Sequence, residues 1–169
     1  MRTALALALL AGCSSSSSTS GARDLAAPPD LTMACMMGAT GDATLASDCR
    51  VSLCHPTSND YESISSIGPV AQPIAHLLFE VDGVFALRSY VAADLRAFDA
   101  DVASNGKHYA ANDALAGSSV TATITALTAP VTTPCDGIPH GTATATLIEY
   151  DQSTGMATGA GRATMTVSF

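Results

Sequence analysis

Three stretches of this sequence hold side chains capable of chemistry. In Cys49-Arg50-Val51-Ser52-Leu53-Cys54-His55, two cysteines flank four residues and a histidine follows directly. Two thiols beside an imidazole can take a metal ion or carry a covalently attached ring. Met33-Ala34-Cys35-Met36-Met37 offers thioether and thiolate sulfur, the soft donors that suit Cu(I). Pro134-Cys135-Asp136-Gly137-Ile138-Pro139-His140-Gly141 makes a rigid, sharply turned loop. Within it, Asp136 and His140 could act as ligands or as an acid/base pair, because binding groups tend to sit on rigid loops carried by a sheet.

Each set also has a plainer reading. The first stretch resembles a widened form of the c-type haem attachment motif, whose usual form is Cys-x-x-Cys-His. That resemblance implies haem carriage through Cys49, Cys54 and His55, but exported cysteines pair with each other by default. The methionine cluster lacks the further methionines or spaced histidines of a copper site, and reads instead as a small apolar plug. The Asp136/His140 loop reads as a disulfide-held connection whose polar residues serve the turn. No metal site and no cofactor are expected. Glu80 with Asp82, and Asp99 with Asp101, would each share one strand face, the usual arrangement of a solvated surface. Asp99-Ala100-Asp101 opens like a calcium loop and then lacks its later ligands. There is no Gly-x-Ser-x-Gly, His-Glu-x-x-His or phosphate-binding glycine loop. His76, in an apolar strand, is read as a satisfied structural histidine.

The elements that must position these residues read mainly as β-strands. Ala75 to Val81 forms one, closed by the turn pair Asp82-Gly83. Val120 to Thr128 and Thr142 to Tyr150 alternate between apolar residues and threonine, and Ala163 to Phe169 repeats the pattern. A polar threonine face beside an apolar one predicts an antiparallel sheet wet on one side, in a β-sandwich or partly open barrel. Phe169 is expected to plug the core. Residues 84–103 fit two patterns: an alanine-rich helix, which would make the fold α+β, or strands with Phe85, Leu87, Val91, Ala93 and Leu95 facing in and Arg88, Tyr90, Asp94 and Arg96 facing out. Asn105-Gly106, a strong hairpin signal, and the surrounding β pattern favour strands. Met33 to Tyr61, rich in Cys, Gly, Asp and Ser, reads as irregular structure pinned by disulfides.

The start of the chain carries an address. Arg2 precedes an uncharged apolar run, Ala4 to Ala11, that is too short to span a bilayer and reads as a secretory signal. Leu10-Ala11-Gly12-Cys13 resembles the lipobox of bacterial lipoproteins. The resemblance implies removal of residues 1–12, lipidation of Cys13 and, with Ser14 following it, an outer-membrane location. Residues 13–32, with a serine run and Pro28-Pro29, read as a tether, leaving 33–169 as one domain. Setting Cys13 aside, Cys35, Cys49, Cys54 and Cys135 form an even set that allows three disulfide pairings. Cys35–Cys49 with Cys54–Cys135 is the pairing adopted as the expectation.

Net charge is −8, Lys107 is the only lysine, and no basic patch exists to meet nucleic acid. Membrane contact is therefore expected through the lipid alone. Absent a catalytic motif, the sequence points to a non-enzymatic binding or structural module of the cell envelope. The alternatives are a hydrolase using Asp136/His140 and a metal or haem carrier using Cys49/Cys54/His55. The protein or small-ligand partner is not specified by the sequence.

Overall fold

The computed structural model describes residues 35–56, 61–68 and 75–169. Cys13, the tether, Met33 and Ala34 lie outside the described residues. Among the described residues the chain forms eleven strands: β1 (Met36–Gly41), β2 (Leu45–Asp48), β3 (Arg50–Cys54), β4 (Tyr61–Ile67), β5 (Ala75–Asp82), β6 (Ser89–Val91), β7 (Ala97–Ser104), β8 (Lys107–Asn112), β9 (Ser119–Thr128), β10 (Ile138–Asp151) and β11 (Met156–Ser168). All pair antiparallel in one sheet that does not close into a barrel. The mainly β architecture is thus the expected one. The alternative helix over residues 84–103 is not formed; that stretch holds β6, a single 3₁₀ turn at Ala92–Asp94 and most of β7.

The sheet branches at β10. One edge of β10 pairs with β11 through residues 142–151. The other edge pairs first with β9, through residues 138–146, and then with β8, through residues 148–150. From this fork one arm runs β8-β7-β5-β4-β3, and the other carries β9 and β6. Alternation turns one face of both arms inward. Leu77 and Phe79 on β5, Val120 and Ile124 on β9, Ala145 and Leu147 on β10, and Met165 on β11 are all buried in one core. Phe79 stacks edge-on with Phe85 at 5.6 Å and lies 6.4 Å from Phe169, so aromatic contacts join the two arms. Phe169 is 1% exposed, the expected plug. Burying each such ring or branched chain stabilises the fold by about 1.5–3 kcal/mol.

Two regions depart from the expected pattern. Tyr90 points in rather than out, and Leu87 and Val91 are exposed. The tyrosine earns no polar penalty there: its ring meets Phe85 at 5.5 Å, while its hydroxyl accepts from Ala86 N–H (2.6 Å) and donates to Ala86 O (3.1 Å). Met33 to Tyr61, expected to be irregular, instead contains β1, β2 and β3 within its described part. β1 gains order by pairing along β11, from Gly41 opposite Ala163 to Met36 opposite Ser168, partners at the far end of the sequence that local composition does not encode. The disulfides are as expected, Cys35–Cys49 and Cys54–Cys135.

The Asn105-Gly106 turn sets the site that follows. Both residues have positive φ (54° and 74°), the geometry of a two-residue hairpin that matches strand twist. It fixes the register of β7 on β8, with Asp101 opposite Ala110 and Asp99 opposite Asn112.

Candidate functional site

With the inner face of β5, β7, β8 and β10 filling the core, the alternate residues stand on the outer face. Register places His76, Asp101, Ala110 and Ile148 in one row across the four strands, with Leu78, Asp99 and Asn112 in the next and Ala103, His108 and Tyr150 on the other side. Together they bring two carboxylates, two imidazoles and a phenol to one surface. A groove of about 1050 Å³ lies there, lined by His76, Asp99, Asp101, His108, Asn112 and Tyr150 among others. Lys107, also at the groove, donates to Glu149 at 2.9 Å, so the chain's one ammonium is already paired.

The ionisable groups of the groove answer one another. His76 Nε2 donates to Asp99 Oδ2 at 2.8 Å. This bond raises the His76 pKa above its ordinary value of 6.5; partial burial opposes the shift, and the charges of Asp99 and Asp101 add to it. Tyr150 Oη donates to Asp101 Oδ2, also at 2.8 Å. Its pKa is pushed up to about 12, first by burial and then by the hydrogen bond and charges of the aspartates. The phenol is therefore neutral at physiological pH and serves as a donor. The His108 ring packs against Tyr150 with centroids 5.9 Å apart.

A His–Asp pair supplies two members of a nucleophilic triad, and the third, the nucleophile, decides its use. Among the described residues, no hydroxyl or thiol is hydrogen-bonded to His76. The groove instead presents acceptors and donors in fixed positions: two half-satisfied carboxylates, a phenol, an amide and two imidazoles. Such a set can bind a polar ligand and hold it in one orientation.

The residues singled out from the sequence have other surroundings. Cys49 and Cys54 are bonded to Cys35 and Cys135 and so have no thiol to offer a haem or a metal ion. Met37 is buried in the core, whereas Met36 is 46% exposed. Asp136 is committed to its own loop. Its carboxylate accepts from Val131 N–H (2.7 Å), Thr132 N–H (2.7 Å), Thr133 N–H (3.0 Å) and the Thr132 hydroxyl. These donors, the Thr132 hydroxyl foremost, hold its pKa far below the usual carboxylate range, which makes it a poor base. His140, on β10, makes no side-chain hydrogen bond or ion pair among the described residues. No hydrogen bond joins it to Asp136.

No family model, curated protein or solved structure matches this chain. The reading of the site therefore rests on its own chemistry. The sequence places Asp99 and Asp101 on a solvated strand face and gives His76 a satisfied structural role. The histidine is satisfied, yet by a carboxylate that lines the groove. The Asn105-Gly106 hairpin alone predicts that Asp99, Asp101 and His108 share a face. Adding His76 and Tyr150 requires the pairing of β5 with β7 and of β8 with β10, which no local signal supplies.

Proposed function

We propose that this protein is a lipid-anchored, non-enzymatic binding module of the cell envelope, tethered through Cys13 and holding a polar ligand in the groove of the β5-β7-β8-β10 face. The observation that carries the reading is the internal pairing of that groove: His76 with Asp99 and Tyr150 with Asp101, with no nucleophile among the described residues bonded to the histidine. The spare lone pairs of Asp99 and Asp101 suit a ligand rich in hydroxyl donors, and His108 and Tyr150 add ring edges and faces. A neutral sugar or polyol meets both demands without placing an anion beside two carboxylates.

The anchor is supported by the order of its parts: a charged n-region, an apolar run, the Leu10-Ala11-Gly12-Cys13 box and a serine-rich tether. Acyl chains on Cys13 would hold the protein at the bilayer, since each buried CH₂ contributes about 0.8 kcal/mol and one chain alone holds only marginally. Membrane fractionation of Cys13→Ser tests this half of the proposal. The substituted protein is expected in the soluble envelope fraction; retention with the membranes would defeat the anchor. A hydrolase acting through Asp136 and His140 draws no support from the geometry, because Asp136 already accepts from four donors of its own loop.

A further inference from the structure

A second cavity, of about 430 Å³, lies away from the groove, between the end of β3, the start of β4 and the loop that precedes β10. Glu62 and His55 give it a polar floor, and its wall is mainly aliphatic and proline, with Thr132 and Thr133 among them. Glu62 lies there with its side chain only 9% exposed. Glu62 Oε2 accepts from Phe85 N–H at 2.7 Å, and Oε1 lies 3.5 Å from His55 Nδ1. That nitrogen is shielded from solvent and has no hydrogen-bond partner. Among the described residues, no lysine or arginine lines the cavity. The rim is apolar: Val84 and Val131 are 67% and 85% exposed, and Pro130 and Pro134 line the wall between.

A buried carboxylate is normally paired or well hydrogen-bonded, because desolvation penalises its charge. Among the described residues, Glu62 has one backbone donor and a histidine beyond good hydrogen-bond distance, so part of its demand is open. Exposed apolar residues around such a group complete a small amphipathic cavity, within the size range of small-molecule sites. The wall is also built in advance. The Asp136 carboxylate gathers the backbone N–H groups of residues 131–133. Cys54–Cys135 and the bond from His55 N–H to Pro134 O (2.7 Å) fasten the loop to β3. Asp136 thereby acquires a use as a positioning residue, and pre-organisation of this kind lowers the ordering cost of binding.

We propose that this cavity is a binding site for a small organic ammonium: the cationic nitrogen donates to Glu62 Oε1 while an aliphatic body lies against Val84, Pro130 and Val131. The site is separate from the groove and does not depend on it. The charge of Glu62 selects the sign of the ligand, and the valine–proline rim selects an apolar body over a hydrated metal ion.

Titration of the isotope-labelled full chain in detergent with n-butylammonium, followed by amide NMR, tests the proposal. Saturable shifts are expected at Glu62, His55, Val84 and Val131, and none with butyrate. Glu62→Gln keeps the acceptor for Phe85 N–H and removes the charge; it is expected to weaken n-butylammonium binding at least about tenfold, the loss of one charge-assisted hydrogen bond. Val131→Lys changes only an exposed rim residue and leaves the fold intact, and it too should weaken binding by repelling the ammonium. Absence of saturable shifts at the cavity, equal response to butyrate, or unchanged affinity in folded Glu62→Gln and Val131→Lys would overturn the proposal.

Discussion

The two outer faces of the sheet are built on the same strand geometry and carry opposite chemistry. On the β5-β7-β8 arm, His76, Asp99, Asp101 and, from β10, Tyr150 stand half-buried and bonded to one another. Across β9, β10 and β11, the outer rows are Thr121–Thr144–Thr166, Thr123–Thr142–Ser168 and Ser119–Thr146–Thr164. Those three rows contain no ionisable side chain. Threonine fits a strand because its branched β-carbon packs well on a pleated surface, and its hydroxyl is content with water. The threonine face thus needs no ligand to explain its composition. The paired acids and imidazole are a different matter: Asp99 and Asp101 share one side of β7, as solvated carboxylates often do, but each accepts a hydrogen bond from another strand, from His76 and from Tyr150.

The sharpest way to break this contrast is at Gly141, where the ladder between β9 and β10 shifts register. Gly141 has φ 158°, and a Cβ there would overlap the carbonyl oxygen of Thr123. Gly141→Ala should destabilise the fold by about 3 kcal/mol or more, measured by denaturant unfolding, because the neighbour is backbone that cannot turn aside. Tyr150→Phe removes a part-buried hydrogen bond on the groove face and should cost about 1 kcal/mol, leaving Asp101 short of a donor.

Smaller effects test whether the pairing in the groove is electrostatic. The folded pKa of His76 is raised, so its contribution is fully present below pH 6.5 and is lost as pH rises through the folded value. The side chains of His76 and Asp99 are 36% and 48% exposed, and solvent screening limits the contribution to about 0.5 kcal/mol. Asp99→Asn should lower the pKa of His76, read by NMR titration of its ring proton, and should flatten this part of the stability–pH curve. An unmoved ring pKa would show that the pair is incidental. Least of all should Thr144→Val matter: at this exposed position on the threonine face a change within about 0.5 kcal/mol is expected. A larger loss would mean that the threonine rows have a structural or binding role.

The same contrast explains what the sequence disclosed. The threonine face was legible because alternation over Val120–Thr128, Thr142–Tyr150 and Ala163–Phe169 is a local signal of period two. The Asn105-Gly106 hairpin was legible for the same reason. Tyr90 departs from its expected outward position because its hydroxyl is satisfied by the backbone of Ala86, a local bond that polarity alone does not suggest. The groove was illegible because His76, Asp99 and Tyr150 meet only through long-range pairings, and β1 was missed because its partner β11 lies at the other end of the domain. The cysteines pair as expected, and the loop they fasten follows its plainer reading, a disulfide-held connection in which Asp136 orders its own backbone.

The central claim is that the groove, and not the threonine face, meets the ligand. Amide NMR of the full chain in detergent, titrated with maltose and in turn with di-N-acetylchitobiose, tests it most directly. The account predicts saturable shifts for at least one sugar at His76, Asp99, Asp101, His108 and Tyr150, with Thr121, Thr144 and Thr166 unmoved. Shifts confined to the threonine rows, or no saturable shift with either sugar, would contradict it.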